Sequence, residues 1–223
     1  MLALALLLGW PVAAAGSPAD RRAEAVAASV VVRADGFYGA GVAVDPAAGR
    51  VLTMAHVLDG VRGPIEVLWP DGESEPATRG PEDAFLDLAV LDVAPRRWPS
   101  AAIGSVVDLE VGEPLAAAGS PRGEAFAASR GRAAVIGRWL LGSLFLEADL
   151  PLDLGSSGGP LVDANGRVVG LVDYLSRADS RLGYALPIDY AVERFPGLFA
   201  TLKDREGYLA RFERWRRTRA PGR

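Results

Sequence analysis

The chain contains no cysteine and only one histidine, His56, among its 223 residues. Without disulfides its stability must come from a buried core, and half of the residues are hydrophobic, which is enough to build one. The single histidine also restricts catalysis, because a serine nucleophile is weak until a neutral imidazole removes its proton. A serine-based relay could therefore be built at one place only.

The chain also lacks a hydrophobic run long enough for a typical membrane span. Residues 2–8 are uninterrupted and apolar, and a small-residue cleavage site follows at Ala15. About 20 apolar residues are needed to cross a bilayer, and the stretch ends early. We therefore predict a signal peptide over residues 1–15, a mature N-terminal segment over 16–24, and an exported protein, periplasmic or secreted. No Lys or Arg precedes the apolar run, so a retained anchor or a misassigned start is the alternative.

Positive charge is scarce outside the C-terminal segment. The net charge is −4, but residues 203–223 carry eight Lys or Arg and three Asp or Glu, a net of +5, which leaves −9 for the rest. A nucleic-acid-binding protein more often carries its positive charge across a folded face. The acidic body therefore argues against nucleic acid as a partner.

Most of the chain consists of short β-rich runs separated by Gly, Pro, Asp and Asn, a pattern that predicts an all-β sandwich or barrel. The Asn165-Gly166 pair is the strongest hairpin signal. We predict two β-subdomains, over 25–105 and 106–197. The predicted strands are Ser29–Val32, Gly41–Val44, Arg50–Thr53, Ile65–Trp69, Ala101–Gly104, Pro114–Gly119, Arg132–Gly137, Ser143–Ala148, Pro160–Asp163 and Arg167–Tyr174.

Beyond Pro196 the hydrophobic period changes from that of a strand to that of a helix. The apolar residues at helical spacing are Phe199, Leu202, Leu209, Phe212 and Trp215. Arg and Glu lie between them, so we predict a basic amphipathic helix over 198–223. Packing on the second subdomain is favoured over a role at a membrane surface or with a partner protein.

A Gly-rich serine segment, Gly155–Pro160, follows His56 in the sequence. It satisfies the nucleophile-elbow pattern of α/β-hydrolases, but an elbow needs a following helix and a downstream histidine, and neither is present here. A subtilisin-like order would need an aspartate before the histidine, such as Asp35 or Asp45, on a parallel sheet with helical crossovers. The short strands oppose that fold. What remains is the chain order of chymotrypsin: histidine, aspartate, serine.

The sequence resembles the protease domain of the HtrA/DegP group of trypsin-like serine proteases over residues 25–196. The resemblance implies an all-β fold of two chymotrypsin-like antiparallel β-barrels, with the active site between them and the C-terminal helix outside the resemblance. Five motifs in family order carry it: Arg50–Leu58, Asp87–Val93, Gly119–Gly123, Leu154–Val162 and Gly183–Pro187.

The resemblance implies three catalytic roles. Ser157 attacks a peptide carbonyl, His56 takes the proton and returns it to the leaving amine, and Asp87 orients the imidazole. The apolar neighbours of Asp87 lead us to expect that this carboxylate is largely buried. Asp83 and Asp92 are competing carboxylates that lack the motif position.

The oxyanion loop implied by the resemblance is Gly155, Ser156 and Ser157. The backbone N–H groups of Gly155 and Ser157 would be the donors. The family usually has Asn where this chain has Ser156, a change that keeps the backbone donors and removes a side-chain amide. No metal or organic cofactor is expected.

Two further segments are implied to bind substrate. Pro151 and Leu152 belong to a mostly apolar stretch that would line the primary pocket, which predicts cleavage after small or medium apolar side chains. Asp153 is the exception in this stretch. The strand that carries Asp173, Tyr174 and Leu175 would offer its edge to an extended substrate, which would add to it by main-chain hydrogen bonds.

The sequence thus predicts a serine endopeptidase that acts on extended or unfolded polypeptides. The alternative is a catalytically silent member of the fold that uses the cleft to bind peptides or partner proteins. A third reading has the basic helix recruiting an acidic partner or a membrane surface. We expect no PDZ domain after residue 197, and the oligomeric state stays open.

Overall fold

The computed structural model describes residues 18–120, 126–152, 154–175 and 182–221. Twelve strands form two closed barrels of six strands each, and neighbouring strands within each barrel are antiparallel. The predicted all-β fold of two barrels is confirmed.

The first barrel is closed in the order β1-β2-β3-β6-β5-β4. Its core comes from strands with long buried runs, such as Val30 to Val32 on β1 and Val51 to Met54 on β3. Each large aliphatic side chain removed from water contributes roughly 1.5 to 3 kcal/mol. The strands are β1 (Ser29–Ala34), β2 (Phe37–Asp45), β3 (Arg50–Met54), β4 (Ile65–Leu68), β5 (Ser74–Asp83) and β6 (Leu88–Asp92).

The second barrel repeats the plan in the order β10-β11-β12-β9-β8-β7. The predicted Asn165-Gly166 hairpin joins β10 to β11, and the buried Asp163 fastens it by accepting hydrogen bonds from the backbone N–H groups of Asn165 and Arg167. The strands are β7 (Pro114–Gly119), β8 (Ala127–Leu140), β9 (Ser143–Asp149), β10 (Pro160–Val162), β11 (Val168–Leu175) and β12 (Leu182–Pro187).

Three helices flank the barrels: α1 (Pro18–Ala28), α2 (Ile188–Arg194) and α3 (Arg205–Arg219). The predicted helix over 198–223 is shorter than expected. Residues Pro196–Phe199 form a separate 3₁₀ turn, and Asp204, whose side chain accepts a hydrogen bond from the N–H of Gly207, begins α3. The predicted packing is confirmed, since Phe212 lies edge-on against Tyr190 of α2. None of the described helices combines the length and apolar character that a membrane span requires.

Three local expectations differ from the structure. Ala101–Gly104 is not a strand, since only Ile103 makes a single bridge, to Val168. The polar, largely exposed segment Ser74–Asp83 is a strand that the hydrophobic pattern did not indicate. Helix α1 covers most of the predicted 16–24 segment and buries Ala25. Residues 1–17 lie outside the described part of the chain, so the signal peptide stays a prediction.

Candidate active site

His56 lies where the buried strand β3 ends. The next four residues form a 3₁₀ turn in which Ala55, Val57 and Leu58 are buried. The imidazole is the one side chain of this turn that reaches the surface, and 39% of it is exposed. The apolar neighbours anchor the turn, and the histidine is thereby presented to the cleft between the barrels.

Asp87 holds this turn by three hydrogen bonds. Its backbone carbonyl accepts from the N–H of Ala55 at 2.9 Å. One carboxylate oxygen accepts from the N–H of His56 at 2.7 Å, and the other lies 2.5 Å from Nδ1 of the imidazole. Asp87 has a φ of +55°, a left-handed conformation that Asp tolerates better than most residues. Its side chain is 31% exposed, so the expectation that it is largely buried is wrong.

The pairing raises the pKa of His56. The hydrogen bond that the imidazole donates to the Asp87 carboxylate is the main cause of the rise, burial opposes it, and the charges of Asp87, Asp173 and Asp59 add to it. A carboxylate bound to Nδ1 also leaves Nε2 as the basic nitrogen of the neutral ring. The imidazole can therefore accept a proton from the cleft side.

Ser157 lies on a loop that is fastened to both barrels. Its backbone carbonyl accepts a hydrogen bond from the N–H of Ala40 on β2 at 2.7 Å, and the N–H of Gly158 donates to Val172 on β11 at the same distance. Gly158 has a φ of +85°, and a Cβ there would collide with the Ala40 carbonyl and the Thr53 hydroxyl. The glycine thus allows the loop to approach the first barrel closely.

The same loop carries two unused backbone donors. Among the described residues, none accepts a hydrogen bond from the N–H of Gly155 or of Ser157. Gly155 has a φ of +96°, and its carbonyl accepts from the N–H of Ser120 at 3.2 Å. Ser156 is buried, with its side chain against Gly119. Two free donors beside a serine hydroxyl suit a developing oxyanion.

The Ser157 hydroxyl donates its hydrogen bond to the backbone carbonyl of Asp173, at 2.9 Å. Within the described residues, no hydrogen bond joins it to His56. Of the three groups predicted from the motifs, only the aspartate and histidine side chains are hydrogen-bonded to each other. Ser157 is linked to them through Asp173, whose carboxylate lies within 4.8 Å of ligand atoms of both.

Asp173 lies beside the histidine–aspartate pair. The sequence placed it on a predicted substrate-binding edge, left its role unexplained and allowed a position near the catalytic residues, and its carboxylate lies within 4.8 Å of ligand atoms of His56 and Asp87. Burial is the main cause that raises its pKa to about 7, and the charge of Asp87 adds to the rise while His56 opposes it. The three side chains form the one His/Asp/Glu grouping tight enough for a cation among the described residues.

The competing carboxylates lie elsewhere. Asp83 pairs with Arg194. Asp92, at the end of β6, pairs with Arg50 on β3. Asp35 accepts hydrogen bonds from backbone N–H groups of residues 62 and 63, and Asp45 from that of Ala48. None of the four contacts His56, so the subtilisin-like arrangement is excluded.

The segments predicted to bind substrate are described in part. Pro151 is exposed, and Leu152 lies so close to Gly183 on β12 that a Cβ on that glycine would collide with it. The ring of Tyr174 stacks on Tyr184 with centroids 4.8 Å apart. The side chain of Leu175 and all of residue 153 lie outside the described part of the chain.

Strand β11 has a partly free edge. Within the described residues, its pairing with β10 ends at Leu171 and Val172 bonds to Gly158 and Gly159 of the serine loop, whereas its pairing with β12 continues to Leu175. Two exposed apolar side chains also lie near the serine loop. Leu154 directly precedes it in the chain, and Tyr38 contacts the position where a Gly155 Cβ would be. An extended chain could bind between this edge and this rim.

The two barrels and the histidine–aspartate pair beside a serine loop define a trypsin-like peptidase. A model of that family, the trypsin-like peptidase domain, matches residues 39–171, and the chain belongs to this family. The predicted likeness to the HtrA/DegP group is confirmed by relatives. A probable periplasmic serine endoprotease DegP-like from Halomonas elongata is 34% identical over 65% of this chain and 32% of its own length. One from Pseudomonas savastanoi pv. phaseolicola is 33% identical over 77% of this chain and 36% of its own length.

Solved structures agree with this assignment. The HtrA-type protease AlgW with a tripeptide superposes with a TM-score of 0.74 at 29% identity, over 80% of this chain and 62% of AlgW. The chain therefore spans only about a third of the length of the two curated relatives and under two thirds of the solved neighbour.

Proposed function

We propose that the protein is a serine endopeptidase whose catalytic residues are Ser157, His56 and Asp87. The observation that carries the proposal is the 2.5 Å contact between Asp87 and Nδ1 of the only imidazole, next to a serine loop with two N–H donors that have no acceptor among the described residues. His56 takes the proton of the Ser157 hydroxyl as that oxygen attacks a peptide carbonyl, and then gives it to the leaving amine. Asp87 stabilises the imidazolium formed in between.

The loop of Gly155, Ser156 and Ser157 would stabilise the tetrahedral intermediate. The N–H groups of Gly155 and Ser157 point their dipoles at a negative charge that exists only during reaction, so they lower the barrier without tightening ground-state binding. Loss of one such donor typically costs about 2.7 to 4 kcal/mol of barrier. Because the donors belong to the backbone, Ser in place of Asn at position 156 leaves them intact.

We propose extended or unfolded polypeptide as the substrate. The edge of β11 beyond Leu171 could accept a peptide as an added strand, at Asp173 to Leu175. Pro151 and Leu152 would border the primary pocket, and Leu152 against Gly183 narrows that space, which favours small or medium apolar side chains. The solved relative with a bound tripeptide supports this class of ligand.

The proposed location is the periplasm, and a secreted form is the alternative. Relatives named as periplasmic endoproteases support it, together with the apolar segment and cleavage site at residues 1–15. The chemistry proposed needs no metal ion or organic cofactor, since the imidazole and the carboxylate supply the acid–base steps.

Cleavage of unfolded casein tests the proposal. The wild-type protein should release peptides, and Ser157→Ala should abolish release because no nucleophile remains. Ser74→Ala is the matched control, since Ser74 is exposed on β5 and is not one of the proposed site residues. Equal cleavage by wild type and Ser157→Ala would rule out this serine as the nucleophile.

One observation favours the rival function, a silent peptide-binding module. The Ser157 hydroxyl is hydrogen-bonded to the Asp173 carbonyl and not to the imidazole. In a silent module this arrangement would persist when a peptide binds, whereas in an enzyme the hydroxyl would turn to His56. Fluorescence anisotropy with labelled casein distinguishes them: a module would bind casein without cleaving it, at any pH between about 6 and 9.

A further inference from the structure

Asp173 occupies an irregular position on β11. The pairing of β11 with β12 shifts register there, since Val172 faces Ala185 and Tyr174 faces Tyr184, and Asp173 is the extra residue. A bulge of this kind re-aims a side chain that would otherwise follow the alternation of the strand. Here it directs the backbone carbonyl to Ser157 and the carboxylate to the histidine–aspartate pair.

The carboxylate of Asp173 is buried beside a second carboxylate, that of Asp87. The residue is only 7% exposed, and no described residue donates a hydrogen bond to its side chain. The neighbouring carboxylate of Asp87 repels a second negative charge, and the nearby hydroxyl of Tyr174 has its own pKa raised to about 12, mainly by burial. A buried carboxylate in such surroundings binds a proton or requires a nearby cation.

The only cation that can form within this group is the imidazolium of His56. The charged groups that act on the imidazole are Asp87 and Asp173, which lie within 4.8 Å, and Asp59, which is exposed beyond the 3₁₀ turn. Moving one proton from Asp173 to His56 leaves the net charge of the three side chains unchanged. The two protonation sites therefore titrate as a coupled pair.

We propose that Asp173 is a positioning residue of the catalytic centre: its carboxylate acts through His56, by holding or releasing the proton that otherwise sits on the imidazole. When Asp173 is protonated, His56 is neutral and can serve as the base. When Asp173 is ionised, its charge stabilises the imidazolium, both at rest and in the transition state. The inference rests on the proposed function, because it assumes that His56 is the base.

The single histidine gives this inference a direct test. NMR of protein labelled with ¹⁵N-histidine yields one imidazole, so the pKa of His56 can be read without assignment. We would compare Ser157→Ala, which prevents self-cleavage, with the same protein carrying Asp173→Asn or Asp59→Asn. The Asp173→Asn change should lower the pKa of His56 by about one unit, since a charge within 4 to 6 Å is removed. Asp59→Asn should leave it nearly unchanged, because water screens an exposed charge.

The pH dependence of kcat/KM should shift in the same direction as the pKa of His56. The acid limb of kcat/KM reports the protonation of free His56. If Asp173 raises the pKa of His56, Asp173→Asn moves this limb to lower pH by a similar shift, and the alkaline plateau falls. A merely structural role would lower activity equally at every pH. Asp173→Ser, which keeps the backbone carbonyl and removes the charge, is the second variant if Asp173→Asn does not fold.

The results that would overturn the inference differ from the result that would refute only the proposed function. An unchanged pKa of His56 in a folded Asp173 variant, or equal shifts in the Asp173 and Asp59 variants, overturns the inference. A specific shift in the NMR titration together with a wild-type protein that cleaves nothing would refute the proposed function and keep the coupling of the two groups.

Discussion

At the scale of residues, Asp87 fixes the position of His56 although its own side chain is partly exposed. Its backbone carbonyl and one carboxylate oxygen bond to backbone N–H groups of the turn that carries His56, and the other carboxylate oxygen bonds to Nδ1, so the imidazole cannot rotate without breaking that last bond. The left-handed φ of Asp87 is a backbone strain that accompanies this geometry. The residue both fixes the position of the base and selects its tautomer.

We predict that Asp87→Asn lowers kcat by about 10⁴-fold, since an amide can hold the ring in the wrong tautomer and cannot stabilise the imidazolium. Steady-state kinetics on a peptide ester would measure it. Asp92→Asn is the control, because Asp92 pairs with Arg50 and has no contact with the imidazole. Asp92→Asn should keep the wild-type kcat. A comparable loss of kcat in Asp92→Asn and Asp87→Asn would contradict the role proposed for Asp87.

The three proposed catalytic residues could be selected from the sequence, but their surroundings could not. His56, Asp87 and Ser157 stand in motifs, and the lack of a second histidine removes the competing arrangements. The exposure of Asp87 depends on how a loop leaves β5, which local hydrophobicity does not encode. The place of Asp173 depends on one extra residue in a strand, and a one-residue shift changes the face that a side chain occupies.

At the scale of elements, helix α3 uses its apolar face within the molecule. Phe212 is 1% exposed and Trp215 is 6% exposed, and their rings stack with centroids 5.6 Å apart. Tyr208 of the same helix donates a hydrogen bond from its hydroxyl to the Gly104 carbonyl at 2.8 Å. The helix is therefore part of the folded core.

We predict that Phe212→Ala lowers the free energy of unfolding by about 3 to 5 kcal/mol, the usual cost of a cavity at a buried aromatic position. Urea denaturation would measure it. Arg214→Ala on the exposed face of the same helix is the control and should change stability by less than about 0.5 kcal/mol. Equal, small effects would show that α3 does not pack as described.

The bounds of elements were less predictable than their existence. The buried strands β1 and β3 were evident from β-branched runs, because the same side chains that favour a strand also fill the core. Strand β5 was missed because its side chains are mostly exposed and it contains Pro76 and Pro81. Its strand form is imposed by pairing with β4 and β6, a long-range effect.

At the scale of the whole molecule, the basic C-terminal segment and the acidic body meet. Arg216 pairs with Glu193 of α2, and Arg211 pairs with Asp108 in the segment between the barrels. Arg217 pairs with Glu213 within the helix. Much of the positive charge noted in the sequence is thus balanced inside the fold, which explains how a net of +5 coexists with an acidic body.

We therefore predict that the folded protein does not bind anionic lipid vesicles at physiological salt, because the aromatic side chains needed for insertion are buried. Co-sedimentation would measure binding. A synthetic peptide of residues 205–219 is the matched control, since its apolar face is free and it should sediment with the vesicles. Sedimentation of the whole protein to the same extent as the peptide would restore a membrane role for α3.

The proposed function requires that folding brings the Ser157 hydroxyl, the His56 imidazole and the Asp87 carboxylate into one working catalytic centre. The most direct measurement is the site of covalent labelling by a fluorophosphonate, mapped by mass spectrometry on the folded protein. We predict one adduct, on Ser157, which is absent in Ser157→Ala and strongly slowed in Asp87→Asn. A folded protein that forms no adduct, or forms it on another serine, would contradict the account.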